Sequence, residues 1–461
     1  MSDPHTIGIA GLGVLFLLLA LRMPVGLAMV AVGIGGNYVL SLVVPYLRFE
    51  PYLLQFKTLL WQNVANYDLS VVPLFVLMGL LAARADLSGD LFRGMSAALG
   101  RVRGGVAMAA AGACAGFGAV CGSSLATAST MGRVALPQLD ALGYSPRLAT
   151  GTLAAGGTLG ILIPPSVALV IYAIIVEASI IEMFRAALIP GLIAVAGFVA
   201  VIWLRVRLSP GLAPLPTPLP RAERVVAYRR LLPVVLIFGV IILGLGAGLF
   251  TPTPAAAFGV FVIAAYAMLR PGERRLGLGG TADALRETAV TAGMITFILF
   301  GAEVLKGFFT RAGLPAALAE WAGGSGLDPL TVLVVMLLAL IVLGCFMESL
   351  AMILVVVPFF WPTLVELNGG DYATAATSAF GMDAGELKIW FGVLALIVVE
   401  LGLITPPVGL NVFIIAQLSG GIAMRETFLG VMPFFGAELL RVALILLAPG
   451  VALFLPRLLA G

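Results

Sequence analysis

Long apolar runs broken by short polar stretches recur along the whole of this chain. A membrane span needs about 20 predominantly apolar residues. Residues 7–21 and 25–44 each fit one span, the first a little short. Residues 51–66 mix apolar and polar positions and are expected at a membrane interface or against the neighbouring helices. Residues 69–83 lead into a polar loop holding Arg84, Arg93, Arg101 and Arg103, expected in the cytoplasm. Residues 106–139 are too long for one span and carry GAVCGSS in their middle, which predicts two half-length helices joined by a Gly/Ser tip. Residues 148–176 are apolar but broken at Pro164-Pro165. Residues 184–204 span to an Arg-rich segment, two short spans in 231–269 meet at TPTP (251–254), and 289–309 is a further run. Residues 330–364 return to the hairpin pattern, with a tip near Met347, Glu348 and Ser349. Residues 387–418 are split at Pro406-Pro407, and the final run, 428–455, is expected to tilt or to kink at Pro433.

The two hairpin-and-break stretches repeat each other. Ser124-Leu125-Ala126 recurs as Ser349-Leu350-Ala351, and Pro137 and Pro362 each lie 13 residues beyond the serine. GILIPPS (160–166) recurs as GLITPPV (402–408), with a glycine four residues before each Pro pair. The second copy carries extra residues, most easily placed in the polar stretch 368–386. A bilayer tolerates broken backbone only where protein or a water-filled cavity satisfies it. Broken segments at matching positions of two halves point to a transporter's binding site.

Composition fixes the solvent. Apolar residues make up 61% of the 461 and charged residues 11%, less than half of the roughly 25% usual in soluble domains. Lipid must therefore cover much of the surface. The net charge of +3 matters less than its placement. Arg205, Arg207, Arg221, Arg224, Arg229 and Arg230 crowd one polar segment, and Arg270, Arg274, Arg275 and Arg286 crowd the next but one. The positive-inside rule puts both clusters in the cytoplasm and TPTP at the outer face. These are short membrane loops, a poor match to a nucleic-acid-binding face. Residues 7–21 lack a basic n-region and an A-x-A exit, so they read as a retained helix. Cys114, Cys121 and Cys345 have no metal or redox spacing and read as small packing residues, and the one histidine is His5. Neither a His-based active site nor a Walker A sequence is present, and no segment is large enough for a soluble nucleotide-binding domain.

A Gly/Ser tip exposes carbonyls that no helix bond uses, and with nearby hydroxyls these are hard oxygen ligands suited to Na⁺. Pro165 and Pro407 lack an N–H, so each break leaves a carbonyl upstream without its helical donor. The first candidate ion site takes Gly122, Ser123 and Ser124 with Gly157 and Pro164, and reads as free of carboxylates. The second takes Glu348 and Ser349 with Thr405, Pro406 and Gly409, and Glu400 lies close by. Glu400 is expected to shape the cavity or to take a proton. The half-helices after each break point positive dipole ends inward, where an anionic group can sit. Thr127, Ser129, Ser166 and Asn411 lie near the breaks as substrate candidates, and Arg133 is positioned either to attract a carboxylate or to snorkel. Glu303 with Lys306 and Glu438 with Arg441 have helix-pair spacing and read as internal ion pairs.

At these residues the chain resembles a known family. GAVCGSSLATASTMGRVALPQLDALGYSPRLATGTLAAGGTLGILIPPS, GCFMESLAMILVVVPFFWP and GLITPPVGLNVF look like the large permease subunit of TRAP (tripartite ATP-independent periplasmic) transporters, and RMPVG and PLFVLMG near the N-terminus also fit. The resemblance implies an all-α, polytopic inner-membrane protein with inverted repeats, an elevator mechanism, and Na⁺-coupled uptake of an organic acid handed over by a periplasmic substrate-binding protein. It also implies a small four-helix membrane subunit, expected as a separate chain, and neither an organic cofactor nor ATP. The expected organisation is scaffold helices in 1–104, a first transport repeat in 105–183, central scaffold in 184–328, a second transport repeat in 329–419 and a C-terminal helix in 420–461. Three alternatives stay open at this point: a self-sufficient carboxylate symporter of similar fold, a channel, and an intramembrane enzyme. For the last, paired catalytic carboxylates or a nucleophile with a base are lacking in the sequence.

Overall fold

The computed structural model describes residues 3–44, 46–215, 219–270, 275–324 and 326–459. Of the arginines singled out above, Arg274 lies outside the described residues. The described chain is built of α-helices with short 3₁₀ turns. In order these are α1 (Pro4–Ala20), α2 (Val25–Val43), α3 (Phe49–Val64), α4 (Val71–Arg84), α5 (Leu87–Leu99), α6 (Gly105–Cys121), α7 (Ser124–Ala141), α8 (Pro146–Gly156), α9 (Val167–Ile175) and α10 (Ile180–Leu208). Then follow α11 (Arg221–Gly246), α12 (Pro252–Leu269), α13 (Leu278–Arg311), α14 (Leu314–Gly324), α15 (Pro329–Gly344), α16 (Ser349–Leu367), α17 (Ala384–Gly402), α18 (Leu410–Leu418), α19 (Met424–Leu447) and α20 (Gly450–Leu459). Among the described residues seven helices are long and apolar enough to cross a membrane, or up to nine if the bent pairs around α4–α5 (65°) and α8–α9 (49°) each count as one span.

The predicted hairpins and broken helices are present in both halves. α6 and α7 form the first hairpin, with Gly122 and Ser123 as its tip, and α15 and α16 form the second, around residues 345–348. α8 reaches the first break through a 3₁₀ turn (Leu159–Leu162) and resumes as α9, while α17 and α18 flank the second. Both Pro pairs, Pro164-Pro165 and Pro406-Pro407, are joined by cis peptide bonds.

Two expectations are corrected. The stretch after Arg84 is not a loop, because Leu87–Leu99 forms α5. Leu87, Leu91 and Phe92 are buried in it, and Arg93, one of the arginines that suggested a loop, pairs with Asp86 and Asp90. Buried Asp90 accepts from Arg93 at 2.9 Å and from Arg270, which also donates to the carbonyl of Ala85 at 2.5 Å. The C-terminal run is two helices rather than one, broken at Ala448-Pro449, with Pro433 inside α19. A proline disfavours helical backbone in the residue before it, and Ala448 accordingly leaves the helix at φ −130°, ψ 76°.

The chain divides into two compact units. One comprises the residues up to Ser70 with Ala289–Leu337 and Leu350–Lys388. Within it α3 packs as an amphipathic helix: Tyr52 is buried and donates to the carbonyl of Val304 at 3.1 Å, while Leu54 and Trp61 stay exposed. The polar insertion after α16 is organised by buried Asn368. Its Nδ2 donates to Met382 O at 3.0 Å, and its Oδ1 and O accept from the backbone N–H groups of Phe380 and Ala379. Glu303 and Lys306 form the expected ion pair at 3.8 Å.

The other unit comprises Val71–Thr288, Leu338–Ser349 and the chain from Ile389 onward. Both hairpin tips and both breaks fall inside it. Its core is rich in alanine and glycine, so helices approach closely, the device that membrane bundles use where the solvent gives no hydrophobic drive. Glu438 and Arg441 are buried and paired as expected, and Arg441 also donates to the carbonyl of Pro190 at 3.1 Å.

Candidate functional site

Each tip is set by local backbone chemistry. At the first, Gly122 takes a left-handed conformation (φ +66°) that a side chain would resist, and Ser123 caps α7 by accepting from Ala126 N–H at 3.4 Å. The second tip is longer: the Cys345 and Phe346 N–H groups close turns onto carbonyls of α15, and α16 starts at Ser349. Ser124 and Ser349, the equivalent serines of the repeats, are thus the first residues of α7 and α16.

Each tip lies against its own break. A Cβ added at Gly122 would stand 2.9 Å from the Val167 side chain at the start of α9. Behind this tip Gly118 and Gly160 meet backbone to backbone, and behind the second Gly344 and Gly402 do the same. The Sγ of Cys345 donates to Ile341 O at 3.3 Å and lies 3.5 Å from Pro406 O. Cys345 therefore contacts the second break directly, beyond the packing role expected for it. Cys114 is buried against Gly156 as a packing residue.

The first site gathers most of its expected members. Gly157 lies under the tip, where a Cβ would come within 3.1 Å of the Ser124 carbonyl oxygen and 2.9 Å of Asn411 Nδ2. Asn411 crosses over from the second repeat. Its amide donates to Ala154 O at 3.3 Å, and its own N–H bonds Leu403 O across the second break. Pro164 is buried in the break. Thr127 Oγ1, Ser166 Oγ and Asn411 Oδ1 are buried and find no hydrogen-bond partner among the described residues. Burying a polar atom unpaired costs about 1–3 kcal/mol in proteins, so three around one tip mark a place built to meet a polar ligand.

In the second site Thr405 donates to Leu401 O at 2.6 Å, leaving its oxygen lone pairs available. Gly409 (φ +58°) turns the chain into α18 beside the Thr405 carbonyl. Pro406 is exposed, whereas Pro164 is buried, so the two breaks differ in access. Glu348 is half-buried at the tip. Ser129 is half-buried on α7, and Arg133 is exposed about 13 Å along that helix from Ser124 at 1.5 Å per residue. The structure leaves Arg133 away from the first tip.

Glu400 joins the two sites. It is 2% exposed, its Oε2 accepts from Ser124 Oγ at 2.6 Å and its Oε1 accepts from Ser349 Oγ at 2.5 Å. The first site, which read as free of carboxylates, has one through its hydroxyl. Among the described residues no group of three His, Cys, Asp or Glu side chains is placed to hold a metal. The oxygens on offer are carbonyls, hydroxyls, one amide and isolated carboxylates, the hard donors that alkali cations take.

A family model described as tripartite ATP-independent periplasmic transporter, DctM component, matches residues 12–451. The chain belongs to this family. It is a multi-pass inner-membrane transport protein, and its relatives are transporter permeases rather than enzymes. It is 32% identical over 401 residues to the C4-dicarboxylate TRAP transporter large permease protein DctM of Pseudomonas aeruginosa, covering 86% of this chain and 88% of that one. It is 30% identical over 408 residues to the sialic acid TRAP transporter large permease protein SiaM of Vibrio cholerae, covering 87% and 88%. Its fold is similar to the crystal structure of the Alcanivorax borkumensis YdaH transporter, with TM-score 0.59, 16% identity, and 87% and 89% of the two chains covered. Gly118, Gly344 and the double reach of Glu400 were missed in the sequence. The glycines carry a findable signal, since each precedes its repeated serine by five or six residues.

Proposed function

We propose that this chain is the large permease of a TRAP system that takes up an organic acid with Na⁺, from a periplasmic substrate-binding protein, alongside a small four-helix membrane subunit on a separate chain. The observation that carries the reading is the pairing of each hairpin tip with its broken helix, together with the three buried, unpartnered oxygens around the first tip. In the first site the carbonyl and hydroxyl oxygens of Ser124, with Gly122 and Ser123 at the tip, Gly157 beneath it and Pro164 in the break, supply Na⁺ ligands. In the second Ser349, Glu348, Thr405, Pro406 and Gly409 do so. The inward N-termini of α9 and α18, with Ser166, Thr127, Ser129 and Asn411, receive the substrate anion, as helix N-termini favour negative charge. Arg133, remote from the first tip, is left out of the substrate site.

C4-dicarboxylates and sialic acid, named for two relatives, share a carboxylate group. A carboxylate is therefore the substrate chemistry proposed here. An elevator movement of the helices carrying the two tips would expose them to one side and then the other. Uptake of a radiolabelled carboxylate into proteoliposomes tests the reading. Transport should need an inward Na⁺ gradient, the binding protein and the small subunit. Saturable transport by this chain alone would replace it with a self-sufficient symporter, and uptake indifferent to Na⁺ would remove the coupling ion.

A further inference from the structure

The repeat fails at one chemically decisive position. Glu400 lies two residues before Gly402, and the equivalent place before Gly160 is Thr158. The hydroxyl of Thr158 turns back to Ala155 O at 2.7 Å. One carboxylate therefore serves both copies. Its two oxygens belong to a single rigid plane, and each accepts from the first residue of a different half-helix, Ser124 of α7 and Ser349 of α16. Both half-helices also direct their positive ends at this region.

The surrounding charges do not compete for it. Arg441 lies within electrostatic reach from α19, but it is held by Glu438 and the Pro190 carbonyl. Glu348, beside Ser349, and Glu438 are the other carboxylates that face Glu400. With Arg441 so held, the two serine hydroxyls are the hydrogen-bond donors to it among the described residues.

We infer that Glu400 is a positioning residue that couples the two hairpin tips, so that ion occupancy at one is felt at the other. The inference rests on the sodium reading above. An ion that draws the Ser124 hydroxyl toward itself shifts or breaks the bond to Oε2. The carboxylate then moves relative to Ser349, or strains the second bond. Coupling of this kind is reciprocal, and two coupled ion sites give sigmoidal activation.

Carboxyl chemistry and span can be separated by three substitutions. Glu400→Gln loses the carboxyl group but keeps two polar arms, because its oxygen accepts from one serine and its amide donates to the other. Glu400→Asp keeps the carboxyl group but is one methylene too short to reach both. Glu400→Ala lacks both. The experiment is Na⁺ titration of uptake by the complete transporter in proteoliposomes, with Na⁺-dependent thermal stabilisation of the purified protein as a second readout.

Wild type should be sigmoidal in Na⁺. Glu400→Asp and Glu400→Ala should fall to a Hill coefficient of about 1, and Glu400→Gln should stay sigmoidal with a several-fold higher half-activating Na⁺. Sigmoidal activation retained in Glu400→Asp overturns the inference, as does its loss in all three variants alike or a hyperbolic wild type. No Na⁺ stimulation of wild type at all overturns the sodium reading instead. If Glu400→Asp does not fold, Glu400→Ala carries the comparison with Glu400→Gln, and its Na⁺ curve should be hyperbolic; a sigmoidal one overturns the inference.

Discussion

Gly118 and Gly160 touch backbone to backbone, and a Cβ built on Gly160 would fall 2.2 Å from the Cα of Gly118. The second copy repeats the contact, with a Cβ on Gly402 only 2.5 Å from Gly344. Rigid backbone cannot yield as a flexible side chain can. Gly160→Ala and Gly402→Ala should each push a hairpin off its break and cost about 1–3 kcal/mol of stability. Lower melting temperature together with lost transport is expected from both. A variant with wild-type uptake would show that the close approach is dispensable.

Ser124→Ala and Thr405→Ala should weaken Na⁺ activation while the protein still folds. Each removes one hydroxyl, and a hydrogen bond such as that of Ser124 to Glu400 is worth about 0.5–1.5 kcal/mol net. The check is the half-activating Na⁺ concentration in proteoliposomes, with size-exclusion profiles to monitor folding. Unchanged activation in both variants removes the proposed ligands.

Glu438→Ala or Arg441→Ala leaves a buried charge unpaired, which costs about 3–5 kcal/mol. Thermal unfolding in detergent should show a large drop for each. The double substitution Glu438→Leu with Arg441→Met should recover most of it, because an apolar pair replaces the ionic one without a stranded charge. Failure of the double variant to recover would mean that the pair supplies more than neutralisation, for instance through the bond to Pro190 O.

Asp90→Ala should destabilise far more than Glu287→Ala. Asp90 is wholly buried and holds two arginines, one on its own helix and one at the end of α12. Glu287 is half-exposed and meets Arg84 at 2.9 Å, the kind of surface pair worth about 1 kcal/mol or less. Expression level and melting temperature of the two variants settle the order.

Asn368→Ala removes the side chain that closes the insertion onto Phe380 and Met382. Protease added to the purified protein should then cut between residues 369 and 383 several-fold faster, because local opening governs such cleavage. The uncut variant should otherwise elute as wild type does.

The sequence alone determined the helices, the two hairpins and the two breaks. Apolar run length, Gly/Ser tips and Pro pairs act locally, on the few residues around them, so their effects are readable in order along the chain. The helix at α5 was misread because its charges find partners elsewhere: Arg270, which buries Asp90, is 180 residues away. Glu400 illustrates the same limit at the site. Its neighbourhood in sequence assigned it to the second repeat, and only the folding of α7 back beside α17 gave it Ser124, 276 residues distant. Asn411 likewise belongs to one break by sequence and reaches Ala154 of the other by packing. Residue type and spacing specify what a backbone segment does. Which buried oxygen meets which donor depends on where distant helices stop, and tertiary packing decides that.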